Sequence, residues 1–115
     1  MQTEFVERRS TRRINAGGET KYKIASAKAN GIKSNYESGK IKNISKGGIC
    51  LLLTGKIEEG TTLRVEINLT NPENRMISAF CEVEWCNPAG PQDLYEIGLS
   101  FFAVKEEDQK FLDGL

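Results

Sequence analysis

Apolar residues in this chain recur mostly at every second position. Leu63, Val65, Ile67 and Leu69 alternate with Arg64, Glu66 and Asn68. Ile77, Ala79, Cys81, Val83 and Trp85 repeat that spacing, and Tyr95, Ile97, Leu99 and Phe101 repeat it again. Successive side chains of an extended strand point to opposite faces, so this spacing predicts strands with one face in a core. Three more strands are predicted: one through Thr20, Tyr22 and Ile24, one from Tyr36 to Ile44, and one from Gly48 to Leu53. Turn-forming residues fall between them, at Asn30-Gly31, at Gly55 to Thr61, at Asn71-Pro72-Glu73-Asn74 and at Asn87 to Pro91. Val104 to Leu112 is charged, with Val104, Phe111 and Leu112 as apolar anchors, and predicts a short helix. Residues 1–18 lack periodicity and end in Ala16-Gly17-Gly18, the pattern of an arm with a flexible joint. About six short strands joined by hairpin turns imply an antiparallel barrel or sandwich.

Composition narrows the class. A length of 115 residues fits one domain with a modest core. No apolar run approaches the roughly 20 residues a membrane helix needs, so no membrane insertion is expected. The polar start, Met1 to Arg13, carries no export signal. Three cysteines, Cys50, Cys81 and Cys86, cannot all pair, which fits a reducing cytoplasm. Without histidine or a second close cysteine pair, a metal site is not expected, and the cysteines read as small hydrophobes in or near the core. The net charge of zero hides an asymmetry: residues 1–57 hold 12 Lys/Arg against 4 Asp/Glu, and residues 58–115 hold 4 against 12. That distribution suits a basic ligand-facing end on an acidic domain better than a general DNA or RNA binder.

Catalytic chemistry has little support. The commonest general base near neutral pH is missing, Ser45 has no evident base partner, and Glu82 and Glu84 read as solvated carboxylates on an outer strand face. Ser45-Lys46-Gly47-Gly48 lacks the lead-in and ending of a phosphate-binding loop. Two other stretches carry the chemistry. Arg8, Arg9, Arg12 and Arg13 crowd into residues 8–13. A guanidinium offers a planar fork for phosphate oxygens or the O6/N7 edge of guanine, and it can lie over a purine face. Thirty residues on, Asn43-Ile44-Ser45-Lys46-Gly47-Gly48 offers an amide that both donates and accepts, a hydroxyl two residues along an extended strand, and glycines that permit positive φ and close backbone approach.

Arg9 and Arg13 form Arg-x-x-x-Arg, and Asn43, Ser45 and Gly48 form Asn-x-Ser-x-x-Gly. In this order, at this spacing and on an all-β pattern, the pair resembles the PilZ domain, the bacterial receptor module for cyclic di-GMP. Glu7-Arg8-Arg9, Ile14, Ile57 to Leu63 and Tyr95 to Phe101 also resemble family segments. Arg8 and Arg12 satisfy the first motif too. Arg9 and Arg13 are preferred because the family usually places a β-branched or apolar residue after the second arginine, where Ile14 stands. The resemblance implies an all-β fold: a six-stranded antiparallel β-barrel over residues 19–103, a short C-terminal helix over 104–115 and a flexible arm over 1–18 carrying the arginines. With the cysteine count and the missing histidine, the expectation is a cytoplasmic, non-enzymatic receptor with no cofactor. Cyclic di-GMP would be bound by Arg8, Arg9, Arg13, Asn43, Ser45 and Gly48. A long basic residue at the position of Arg8 resembles members that take up an intercalated ligand dimer.

On this reading ligand folds the arm onto the barrel and changes the surface seen by an unidentified downstream protein. The alternative is a PilZ-like protein–protein adaptor that does not bind the nucleotide, although both motifs stand. A barrel binding single-stranded nucleic acid ranks last, because aromatics are only 8% of residues and Tyr95, Phe101 and Trp85 fall on apparent core-facing positions.

Overall fold

A computed structural model describes residues 13–25 and 36–115. The arginines Arg8, Arg9 and Arg12 and the Asn30-Gly31 turn lie outside the described residues. Seven strands precede one helix: β1 (Ile14–Asn15), β2 (Gly17–Ile24), β3 (Glu37–Ile44), β4 (Gly48–Thr54), β5 (Thr62–Asn71), β6 (Arg75–Pro88), β7 (Leu94–Val104) and α1 (Glu106–Asp113). All pairings are antiparallel, in the order β1-β3-β2-β5-β6-β7-β4, and β4 returns to pair with β3. Strands β2 to β7 thus form a closed six-stranded barrel, as expected, and closure removes the free edges of an open sheet. The extra strand β1 pairs Ile14 with Ile44 and Asn15 with Asn43. It takes the edge of β3 that β2 occupies further along, from Glu37 to Lys40.

The alternating residues fill the interior. Leu63, Val65, Ile67 and Leu69 of β5 meet Ile77, Ala79, Cys81 and Val83 of β6, all at most 4% exposed. Ile41, Ile44, Ile49, Leu51, Leu53, Ile97 and Leu99 complete the wall. Leu112 of α1 is fully buried, with Phe111 and Leu115 packed on the same core, so the helix covers part of the core. Arg75 fastens α1: its Nη2 donates to Asp108 Oδ1 (3.1 Å) and to the Glu107 carbonyl (3.2 Å), and its guanidinium lies 4.6 Å from the Phe111 ring centroid. Among the described residues no helix is long and apolar enough to cross a membrane.

The Gly17-Gly18 joint read from the sequence lies within β2, paired to β5. Gly18 stands at a bulge with φ of 128°, and a Cβ there would overlap the Asn68 carbonyl. Both demands select glycine.

Thr20 is fully buried, and its hydroxyl has no hydrogen-bond partner among the described residues. An unpaired buried hydroxyl carries its desolvation cost uncompensated. Thr20→Val, which keeps the shape and removes that cost, is expected to raise unfolding stability by about 1 kcal/mol. Urea denaturation checks this, and a loss of stability would contradict it.

Candidate functional site

Two β-bulges shape one outer face of the barrel. In β3 the pairing with β4 slips between Ile41 and Asn43. Ile41 and Ile44 both point inward, so two residues stand between them where strict alternation would place one. The surplus turns Lys42 and Asn43 both outward. In β6 the pairing with β7 slips between Val83 and Trp85. Val83 and Cys86 pack on the core, which leaves Glu84 and Trp85 outside.

Consequently five residues from five neighbouring strands fall in one cross-strand row. Asn15 opposes Asn43, Asn43 opposes Cys50, Cys50 opposes Gly98, and Gly98 opposes Trp85. The middle of the row is small. A Cβ on Gly98 would fall inside contact distance of the Trp85 ring, so the indole lies flat over the glycine. Trp85 is half-buried rather than a member of the core. Its expected core position is therefore corrected: the bulge shifts the phase of β6 by one residue. A glycine inside an apolar strand, between Ile97 and Leu99, was the available signal, since such a glycine often marks close approach.

At the other end of the row, Arg13 Nη1 donates to Asn43 Oδ1 at 2.8 Å. The pairing of β1 with β3 brings these side chains together across 30 residues of sequence. Arg13 is exposed and Asn43 half-buried. The contact uses one of the five guanidinium N–H groups, and among the described residues the Asn43 amide N–H₂ has no acceptor. Beside them, Glu96 Oε2 accepts from Lys42 Nζ at 3.1 Å and from Cys50 Sγ at 3.4 Å. The hydrogen bond from Lys42 holds the Glu96 carboxyl below its usual range. Burial and the Glu96 carboxylate push the Cys50 thiol up to about 11, against the opposing pull of Lys42 and Arg13. Burial raises Cys81 to about 12. Both thiols are protonated at neutral pH and poorly suited to nucleophilic chemistry.

The Ser45–Gly48 turn closes the site. The Ser45 N–H donates to the Gly48 carbonyl at 2.9 Å, and the Ser45 hydroxyl accepts from the Gly47 N–H at 3.3 Å. Ser45 is only 4% exposed. The structure thus places its hydroxyl inside the turn, not alongside Asn43 on an open strand face. The Gly47 carbonyl accepts from the Phe101 N–H at 2.9 Å, which ties the turn to β7. Gly48 is required by close approach, since a Cβ would overlap the Leu99 carbonyl oxygen. Neither Gly47 nor Gly48 adopts the positive φ that the sequence pattern permits.

The face therefore combines a guanidinium fork, an amide edge, a lysine and an indole. Those groups together suit an anion that carries planar bases.

No curated protein matches the chain. Solved structures do. The Bacillus subtilis inhibitor of motility MotI/DgrA matches with a TM-score of 0.73 and 21% identity, over 93% of this chain and 48% of that one. The PilZ domain of Escherichia coli YcgR with c-di-GMP matches with a TM-score of 0.68 and 18% identity, over 93% and 87%. The Klebsiella pneumoniae MrkH–c-di-GMP complex matches with a TM-score of 0.67 and 16% identity, over 95% and 50%. The chain spans about half the length of MotI and MrkH. At these identities the likeness is one of fold. The sequence pattern of the PilZ domain matches residues 7–115, nearly the whole chain, and the chain belongs to the PilZ domain family.

Proposed function

We propose that this protein is a cytoplasmic, non-enzymatic receptor for cyclic di-GMP. The Arg13–Asn43 contact carries the reading: the two motifs meet at one outer edge of the barrel. Membership of the PilZ family and the likeness to two structures holding c-di-GMP support it. Arg9 and Arg13 grip guanine edges and phosphates, Asn43 reads a guanine from the barrel side, and Ser45 and Gly48 hold the turn beside it. Arg8 extends the grip to an intercalated ligand dimer. Ligand neutralises the like charges at residues 8–13 and draws the arm against β3, which alters the surface offered to a partner protein.

Calorimetry with cyclic di-GMP tests the reading. The expected result is binding of two ligands per chain, accompanied by a change in emission of Trp85, the single tryptophan. Arg8→Leu is expected to move the ratio towards one, and a wild-type ratio of one removes the role given to Arg8. Absence of heat and of any spectral change at millimolar ligand would leave the adaptor reading in its place.

A further inference from the structure

Lys42 points outward in phase with Lys40, and the bulge beside it turns its neighbour Asn43 to the same face. Its ammonium rests on Glu96 Oε2, the same oxygen that receives the Cys50 thiol. Both partners are open to solvent, with side-chain exposures of 47% for Lys42 and 28% for Glu96. An exposed single-contact ion pair of this kind contributes little to stability and is easily exchanged. It nevertheless flanks the row at Asn43, Cys50 and Gly98, where a carboxylate opposes an anionic ligand and a free ammonium favours it.

We propose that Lys42 is a phosphate-binding residue of this site and that Glu96 is its resting partner, so that an anionic ligand takes Lys42 over from Glu96. The inference rests on the receptor reading. The resting pair has two effects. It keeps Lys42 extended along the row, and it gives Lys42 a carboxylate partner that a ligand must displace. A ligand presenting phosphate oxygens at the Asn43 edge does so through a charge-assisted hydrogen bond to Lys42. An anion without bases to engage Arg13 and Asn43 lacks that purchase and faces the carboxylate alone.

The pair gives opposite signs for its two members, which separates this role from a structural one. Calorimetric titration of the whole chain with cyclic di-GMP is the test, at low and at physiological salt. Lys42→Met is expected to weaken binding about 5-fold and to flatten its salt dependence. Glu96→Gln, which keeps the acceptor and removes the charge, is expected to tighten binding about 3-fold. Lys42→Arg is expected to retain near wild-type affinity. A structural ion pair would make Lys42→Met and Glu96→Gln move affinity in the same direction, and that result overturns the proposal. So does wild-type affinity in both variants. If the wild type itself fails to bind, the receptor reading falls and takes this one with it.

Discussion

On the receptor reading, Arg13→Ala is expected to lower the affinity for cyclic di-GMP by about 100-fold, the loss that follows when a planar fork able to grip both phosphate and base edge is removed. Asn43→Ala is expected to cost about 10-fold. The two losses are not independent. Asn43 Oδ1 receives Arg13 Nη1 at 2.8 Å, so it anchors one nitrogen of the guanidinium as well as offering its own amide N–H₂. In the double variant the combined loss should be smaller than the product of the single losses, because removing Arg13 removes part of what Asn43 does. Arg64, whose guanidinium lies 5.5 Å from the Phe80 ring on β5 and β6, is the control cation. Arg64→Ala should leave affinity unchanged. Calorimetry of these variants beside the wild type decides the matter. Equal affinity of wild type and Arg13→Ala would remove Arg13 from the binding role and with it the contact that anchors the functional reading.

A large effect on stability is expected at Gly48. A methyl group there would overlap the Leu99 carbonyl oxygen, far inside the 3.0 Å that side-chain contacts respect, and the obstruction is backbone. Strands β4 and β7 would have to separate locally or shift, against the pairing that runs from Gly48–Ser100 to Thr54–Leu94. Gly48→Ala should therefore destabilise by about 2–4 kcal/mol, at the severe end for a single methyl group. Its neighbour supplies the comparison. At Gly47 nothing lies within 4 Å of an added Cβ, so Gly47→Ala should fall within about 0.5 kcal/mol of wild type. Urea denaturation midpoints at unchanged slope measure both. Equal stability of the two variants would mean that close approach to β7 is not what glycine provides at position 48.

The strands were legible in the sequence wherever alternation is strict. Leu63 to Leu69 and Ile77 to Val83 read directly as inward faces, because each inward residue is separated from the next by one outward residue. The Arg13–Asn43 meeting was legible only through the pairing of two motifs, since nothing local to either stretch announces the other. The bulges escaped the pattern. A bulge adds one residue and leaves no mark in its own strand, and it reverses the face assignment of every later residue there; the glycine that signals the bulge in β6 stands on the neighbouring strand, at Gly98. That is why Trp85 read as core and lies outside, over Gly98. Lys42 and Glu96 escaped for a related reason: 54 residues separate them, and strand pairing across β3, β4 and β7 brings them together. The two-residue β1 was too short to show any period. Ser45 was identified, but the turn had first claim on its hydroxyl.

The row from Asn15 to Trp85 crosses four interstrand gaps, and in a β-sheet each gap is about 4.8 Å, so its contour is about 19 Å. That length is set by backbone hydrogen bonding in the barrel and its extra strand β1, and not by any side chain along it. The barrel thus acts as a ruler: substitutions can change which chemical groups are touched at each mark, but the distance between marks is inherited from the architecture. A variant with a longer or shorter row would have to change how many strands the row crosses, a topological change that point mutation does not reach.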